Sequence, residues 1–302
     1  MTTWRVDRIL ALGAAVLLIA SAPPSIRAAA PATATVVGAA TIELRACPQL
    51  SCTVRTTAPL GAQLVLRGEE EGGFVPVEYA GQLGYALPFY VATDLTHVPY
   101  LQQGQPGCKR VALIFNVGVG FDPAVGILDT LKIQQVPASM FVMGWWADQH
   151  PAVLTRMLKD GLLIGSHGYD AIELPTRQNG DVAHDIEDAA VAINHGTGRP
   201  PARLFTPYAA AMDERVRTIV ATEGYLPVSW TVTTDDYRAD ATEAMVYDRI
   251  MDGINDGAIV ELHLDAPASA VSTGRALPRV VAELRTRGYR FVTIPEMAQP
   301  CP

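Results

Sequence analysis

The stretch "VALIFNVG" at residues 111–118 decides the fold of this chain. Its first five residues are apolar without interruption, which predicts a strand that is buried on both faces of a sheet. Barrel enzymes place their catalytic groups where such a strand ends. Here that end carries the amide of Asn116 and the isopropyl group of Val117. The stretch therefore predicts an enzyme scaffold and leaves open whether the chemistry is kept.

Apolar runs of this kind recur downstream and alternate with amphipathic stretches that predict helices. Continuous apolar strands alternating with helices indicate a parallel sheet covered on both faces. About seven runs favour a distorted (β/α) barrel over an open sheet, with its binding residues at the carboxyl ends of the strands. The predicted strands are 111–115, 138–142, 162–166, 203–205, 227–232, 258–262 and 290–294.

Two shorter regions precede this barrel, which is expected to occupy residues 108–302. Residues 33–98 contain short strand-like runs separated by Gly, Pro and acidic turns, a pattern that predicts a small all-β barrel. Residues 99–107 are rich in Gln, Gly and Pro and are predicted to form a linker.

The N-terminus, residues 1–32, has the pattern of a secretory signal peptide. Arg5 and Arg8 precede an apolar run from residue 9 to about residue 22, and small residues follow that run. The run is shorter than the roughly 20 residues that a membrane span needs. We expect a secreted or extracytoplasmic protein of the cell envelope, with no stable membrane span after cleavage. An uncleaved anchor is the alternative.

Charge and cysteine content narrow the partners and the compartment. The chain of 302 residues has a formal net charge of -8 and no basic face, which argues against nucleic acid as a partner. In an exported protein, four cysteines indicate disulfide bonds. We predict the pairs Cys47–Cys52, across a short turn, and Cys108–Cys301, around the barrel. Four unpaired thiols are the alternative.

The order of features in residues 42–91 resembles a bacterial Src-homology-3-like module. A strand ends in an L-R-x-x-P-like turn at residues 44–48, and a later strand has the pattern G-x-x-G-Y at residues 81–85. Modules of that kind commonly tether enzymes to cell-wall glycan or peptide, and the resemblance implies such a tether here. A packing appendage is the alternative.

Five predicted strand ends carry short motifs, at residues 116–118, 167–171, 206–210, 233–237 and 263–267. They line up with the five motifs of the polysaccharide deacetylase family, also called NodB homology or carbohydrate esterase family 4. Framework stretches such as "GLLIGSHGYD", "GAIVELH" and "LRTRGYRFVTIPEM" strengthen the resemblance. It implies a hydrolase of carbon–nitrogen bonds in N-acetylated glycans, in which a divalent metal acidifies water and polarises the amide carbonyl.

The resemblance assigns roles to single positions, and several of these positions lack the group that the role needs. Asn116 stands at the position of the catalytic base and cannot accept a proton at neutral pH. Val117 and Ala171 stand where the family has metal ligands, which leaves His167 as the retained ligand. Thr206 replaces the arginine beside the base. Catalytic metal sites commonly keep three protein ligands, so weak or lost deacetylase activity is implied.

Two family positions are retained. Asp236 and His263 correspond to a supporting acidic group and the general acid; paired structural residues are the alternative. No cofactor is expected unless a metal site has been rebuilt, in which case zinc or a similar divalent metal would suit the donors. Such a rebuilt site would consist of His167, Asp170, His263 and one of Asp122, Asp235 and Asp265.

Aromatic side chains near the strand ends are candidate sugar-binding residues. Trp145, Trp146, Tyr208 and Tyr237 are expected to stack on sugar rings, with core or lid packing as the alternative. Three functions remain open, and so does the question whether the protein is an enzyme. It binds peptidoglycan or another N-acetylated glycan with little turnover, or it is an active metal-dependent N-deacetylase with a rearranged ligand set, or it is an envelope scaffold that binds a protein.

Overall fold

A computed structural model describes Met1, Thr2 and residues 32–301 of the chain. The predicted signal peptide therefore lies almost wholly outside the described residues. From Ala32 onward the chain forms one compact unit. Within this described part, none of the helices combines the length and the apolar character needed to cross a membrane.

The N-terminal region is an antiparallel all-β sheet, as its alternating pattern predicts. Strands alternate between residues buried in a small shared core and residues exposed to solvent, which is the period-two pattern of a half-buried sheet. In the sheet the strands follow the order β3-β2-β6-β5-β4-β1-β7. The strands are β1 (Thr33–Val36), β2 (Thr41–Arg45), β3 (Val54–Pro59), β4 (Gln63–Leu66), β5 (Val75–Tyr79), β6 (Gln82–Ala86) and β7 (Val91–Ala92).

The larger region is a parallel half-barrel, which confirms the predicted α/β class. Its strands run in the order β12-β11-β10-β9-β8-β14-β13, and β15 also pairs with β8. Parallel pairing brings the carboxyl ends of these strands to one edge. The strands are β8 (Arg110–Val117), β9 (Ser139–Val142), β10 (Leu163–Ser166), β11 (Leu204–Phe205), β12 (Leu226–Pro227), β13 (Val232–Thr233), β14 (Ala258–His263) and β15 (Arg290–Phe291).

Helices follow most of these strands and cover the outer face of the half-barrel. Two of them begin at a side-chain cap: Asp213 accepts from the N–H of Val216, and Thr242 accepts from the N–H of Met245. The helices are α1 (Val125–Ile133), α2 (Gly144–Gln149), α3 (Pro151–Lys159), α4 (Asn179–Thr197), α5 (Glu214–Thr222), α6 (Glu243–Gly253), α7 (Thr273–Thr286) and α8 (Ile294–Met297).

Strand β8 shows how the sequence positions the site. Its side chains alternate between two cores, because successive residues of a strand face opposite sides of the sheet. Phe115 and Val117 belong to the core under the helices, together with Leu128 of α1. Ile114 belongs to the core inside the half-barrel. Asn116 therefore faces the interior at the carboxyl end of the strand, and Val117 faces the helices.

Both predicted disulfide bonds are present. Cys47 and Cys52 are joined with their Cα atoms 5.7 Å apart. Cys108 and Cys301 are joined with a Cα separation of 5.6 Å, across 193 residues of sequence. The second bond ties the beginning of the half-barrel to its end, which requires these termini to meet in space.

The segment expected to be a linker, residues 99–107, is packed into the half-barrel. Leu101 is fully buried in the interior core. Its N–H donates to the carbonyl of Pro227 at 3.0 Å, and its carbonyl accepts from the N–H of Ser229 at 2.9 Å. Burying one leucine stabilises a fold by about 1.5–3 kcal/mol, so this apolar residue draws the segment onto the sheet in spite of its Gln, Gly and Pro neighbours.

Candidate ligand-binding site

A cavity of about 490 Å³ lies at the carboxyl ends of the parallel strands. This is where the half-barrel fold is expected to place a site, and the volume is in the range of small-molecule pockets. The cavity is lined by Asn116, Val119, His167, Tyr208, Ala209, Ala210, Trp230, Thr233, Asp235, Tyr237, Glu261 and His263.

On the side of β8 and β10, a chain of hydrogen bonds fixes two of the predicted site residues. The His167 Nδ1 atom lies 2.9 Å from the carbonyl oxygen of Thr206. The Thr206 hydroxyl donates to Asn116 Oδ1 at 2.9 Å. Burial lowers the pKa of His167 to about 3, so its ring is neutral over the physiological range. His167 is thus held as a neutral imidazole, with Nδ1 already occupied.

A buried glutamate that sequence reasoning did not select lies on the opposite side of the cavity. Glu261 is 6% exposed. Its Oε1 accepts from Asn116 Nδ2 at 3.1 Å, and its Oε2 accepts from the Thr233 hydroxyl at 2.9 Å. Burial raises the pKa of this carboxyl group. Asn116 therefore connects the two sides of the cavity, by accepting on one and donating on the other.

The signal for Glu261 was present in the stretch "AIVELH". A charged residue inside an otherwise apolar strand is informative, because glutamate is rarely buried without a partner. Glu261 lies two residues before His263, so the two side chains share one face of β14. The sequence analysis considered only His263 in this stretch, and Glu261 was therefore missed.

Asp236 and His263, which the sequence analysis expected to act together, form a buried ion pair. Asp236 Oδ1 lies 2.7 Å from His263 Nδ1, and Oδ2 accepts from the backbone N–H of His263 at 2.9 Å. The His263 Nε2 atom lies 3.7 Å from Glu261 Oε1. Burial by itself lowers the pKa of His263, but the bond to Asp236 and the surrounding carboxylates outweigh burial and raise it above its ordinary value.

Asp265 adds another carboxylate close to this pair. It is 2% exposed, and its Oδ2 accepts from the N–H of Gly118 at 2.9 Å. Its other oxygen is buried without a hydrogen-bond partner in the described residues. Burial raises the pKa of Asp265 to about 6. The side of the cavity at β13 and β14 is therefore rich in carboxylates.

The residues of this site do not fit a divalent metal. Val117 is fully buried under the helices, and Ala171 offers a methyl group on the surface. The Asp170 side chain is also exposed and does not line the cavity, although its N–H donates to Asp185 at 3.1 Å. Among the described residues, no group of three or more His, Cys, Asp or Glu side chains is arranged to hold a metal ion.

The predicted aromatic residues divide into two sets. Tyr208 and Tyr237 line the cavity, and Trp230 joins them there. Trp146 is fully buried in the core and stacks on His150 with ring centroids 4.2 Å apart, so no sugar ring can reach it. Trp145 is partly buried, donates towards the sulfur of Met143 at 3.2 Å, and does not line the cavity. The expectation of sugar stacking is therefore corrected for Trp146, because packing under the helices uses its surface, and it stays a prediction for Trp145.

Backbone strain is concentrated at the cavity wall. Ala209, Ala210 and Asp235 line the cavity and have φ angles of 53°, 55° and 52°. The left-handed region costs a residue with a Cβ atom roughly 1–2 kcal/mol. Strain of this kind persists where the surrounding structure imposes it, and it clusters at functional sites.

Comparisons of the sequence with known proteins agree with the geometry. The sequence model for the polysaccharide deacetylase family matches residues 103–228. A peptidoglycan-N-acetylglucosamine deacetylase from Listeria monocytogenes is 34% identical over 190 residues, which cover 63% of this chain. The same alignment covers only 39% of the Listeria protein, so this chain matches well under half of that relative's length.

Solved structures share the fold. The crystal structure of a peptidoglycan N-acetylglucosamine deacetylase superposes with a TM-score of 0.62 at 25% identity, covering 66% of this chain and 92% of that one. A carbohydrate esterase family 4 pseudoenzyme from Bacillus anthracis superposes with a TM-score of 0.61 at 24% identity, covering 66% and 68%. The latter likeness shows the fold alone.

Proposed function

The chain carries a domain of the polysaccharide deacetylase family, and on this premise we propose that it binds N-acetylated cell-wall glycan of the peptidoglycan type with weak or lost deacetylase activity. The proposal rests on the contacts that Asn116 and Val117 make at the end of β8. The side-chain amide of Asn116 accepts a hydrogen bond from Thr206 and donates one to Glu261. Val117 faces the helix-side core.

Three features support glycan binding. The cavity is open to solvent at the strand ends, Tyr208, Trp230 and Tyr237 line it, and the strained backbone at Ala209 and Ala210 forms part of its wall. Aromatic rings with polar groups between them are the usual composition of a sugar site, because the rings cover the apolar faces of sugars and the polar groups bind hydroxyls.

Two further expectations belong to this proposal. We place the protein outside the cytoplasm, because two disulfide bonds persist in oxidising compartments and the N-terminal sequence has a signal-peptide pattern. We also propose that the all-β region, residues 33–98, is a Src-homology-3-like module that assists attachment to the wall. Asp236 and His263 then serve to orient sugar hydroxyls.

The test of lost activity combines metal content with acetate release. The protein is purified without chelator, and bound zinc is measured before and after zinc is added. Acetate release is then measured with N-acetylglucosamine oligomers and with peptidoglycan. We expect well under one zinc per chain and no acetate above the protein-free control. Stoichiometric zinc together with acetate release that is abolished by His167→Ala would overturn the proposal in favour of a rearranged active deacetylase.

The test of glycan binding is co-sedimentation with insoluble cell wall. Tyr237 is 47% exposed at the cavity, so Tyr237→Ala removes a wall of the site with little effect on folding. Ile133 is 78% exposed at the end of α1 and does not line the cavity, so Ile133→Ala is the control. We expect sedimentation to fall with Tyr237→Ala and to be unchanged with Ile133→Ala. No sedimentation of the wild-type protein would instead favour a scaffold that binds a protein.

A further inference from the structure

Buried carboxylates at the β13–β14 side of the cavity outnumber the cations beside them. Those of Asp236, Glu261 and Asp265 lie near the single imidazole of His263, and of these three Glu261 is the one that lines the cavity. His263 is already paired with Asp236 at 2.7 Å, and it lies farther, 3.7 Å, from Glu261. A buried charge without a full partner is costly, and its cost falls when an opposite charge is bound beside it.

No other cation of the cavity wall is free to balance Glu261. His167 is neutral, because burial lowers its pKa to about 3. Arg249 approaches the rim, but it is paired with Asp235 at 2.7 Å. The hydrogen bonds that Glu261 does receive come from the uncharged donors Asn116 and Thr233. Within residues 32–301, the cavity wall therefore leaves Glu261 with uncharged hydrogen-bond partners and a shared imidazole.

Aromatic rings share the cavity wall with this carboxylate. Tyr208, Trp230 and Tyr237 line the same cavity as Glu261. The ring of Tyr237 meets that of His263 edge to face, with centroids 5.8 Å apart. Faces of aromatic rings attract cations, and the attraction grows when the cation is withdrawn from water. A buried carboxylate with an aromatic wall is a combination that suits an organic ammonium group.

We propose that the deep end of the cavity binds a primary ammonium group, so that the site selects hexosamine units whose nitrogen carries no acetyl group. The inference rests on the proposed binding of cell-wall glycan and specifies that, within a polymer that is mostly N-acetylated, the cavity takes the units that lack the acetyl group. An ammonium group offers three N–H donors and a full positive charge. An acetamido group offers one N–H and no charge, and its carbonyl oxygen is a further acceptor in a site rich in acceptors.

The proposal explains why an amide side chain, and not a carboxylate, suits position 116. A carboxylate at this position would lie about as far from Glu261 as the amide nitrogen does now, 3.1 Å. Two carboxylates at such a distance cannot both ionise readily. The amide of Asn116 instead donates to Glu261, and this hydrogen bond opposes the rise in pKa that burial causes and so favours the ionised carboxylate that a cationic ligand needs.

The test compares ligands on the full-length protein by isothermal titration calorimetry. Glucosamine oligomers and N-acetylglucosamine oligomers of equal length are the probes. We expect the glucosamine oligomer to bind at least about tenfold more tightly, since loss of a desolvated charge pair commonly costs tenfold or more in affinity. Equal or tighter binding of the acetylated oligomer by the wild-type protein would overturn the inference. This comparison uses the wild-type protein alone, so it does not depend on the folding of any variant.

A matched pair of variants separates the site from the general negative charge of the protein. Glu261→Gln keeps the shape and removes the charge, and Glu187→Gln makes the same change at an exposed position of α4. We expect Glu261→Gln to abolish the preference for the glucosamine oligomer and Glu187→Gln to keep it. Loss of the preference in both variants would contradict a specific site and indicate attraction of a polycation to an acidic surface.

Co-sedimentation with cell wall distinguishes failure of this inference from failure of the proposed function. The wall is used untreated and after chemical N-acetylation of its free amines. We expect treatment to reduce co-sedimentation of the wild-type protein. Undiminished sedimentation overturns ammonium selection and leaves glycan binding in place, whereas no sedimentation with either wall overturns both.

Discussion

The two sides of the cavity differ in charge. At the β8–β10 side, Asn116 supplies an amide, Val117 an apolar side chain that faces the helices, and His167 a neutral imidazole. At the β13–β14 side, Glu261 and His263 line the cavity, and Asp236 and Asp265 are buried near His263.

The difference follows from the core that each strand position faces. Strand positions that face the helices tolerate an apolar residue well, and Val117 adds to the core there. Interior positions keep polar groups, because each of them has a hydrogen-bond partner across the half-barrel. Three variants test this contrast, beginning with the one of largest expected effect.

Val117→Asp tests whether the β8–β10 side can accommodate a charged side chain. The new carboxylate would be buried without a partner, and we expect the free energy of unfolding to fall by about 3–5 kcal/mol near neutral pH. Urea denaturation measures the loss. Val117→Asn is the matched control, since it has nearly the same shape and no charge.

Added zinc should not restore the stability of Val117→Asp, because the described residues supply no converging donor set. Recovery of stability in zinc would show that His167 and its neighbours can assemble a metal site, and the contrast between the two sides would fail.

His167→Gln tests the neutral state of the histidine on the same side. The folded pKa of about 3 lies below the ordinary value of 6.5, so the unfolded chain takes up a proton first as the pH falls. This group's contribution to stability is complete above about pH 6.5 and is lost as the pH falls towards 3. Between about pH 7 and about pH 4.5 we expect the wild-type protein to lose about 2.5 kcal/mol relative to His167→Gln.

Urea denaturation at a series of pH values gives the difference in unfolding free energy between the two proteins. A constant difference across that range would mean that the pKa of His167 is the same in the folded and unfolded protein, so that the folded histidine takes up a proton below about pH 6.5. The β8–β10 side would then be charged at low pH, as the β13–β14 side is.

Asn116→Asp, alone and combined with Glu261→Gln, tests how the two sides are coupled. The single substitution would place two carboxylates in contact, whereas the double substitution places one carboxylate beside an amide and so keeps one donor and one acceptor. We expect the double variant to be more stable than the sum of the two single effects predicts, with a coupling energy of about 1–2 kcal/mol. A double-mutant cycle by urea denaturation measures this energy, and strict additivity would show that the sides act independently.

The fold and part of the site were predictable because they depend on local patterns. Apolar runs alternating with helices give the half-barrel, and cysteine placement gives both disulfide bonds. Two site features were less accessible to sequence reasoning. Trp146 has the composition of a sugar-stacking residue, but packing under the helices buries it. Glu261 was overlooked, although its place in an apolar strand was a signal.

What the sequence by itself determined is the order of strands and helices and the chemistry at their ends, where Val117 and Ala171 offer no donor atom and Asp236 and His263 are titratable. These follow from period, composition and residue chemistry, which are properties of short stretches. What only the tertiary structure decided is that Glu261 reaches Asn116 across 145 positions of chain, and that its charge lacks a dedicated partner. Charge balance in a buried site depends on distances between strands that are remote in sequence, and those distances exist only after the sheet has formed.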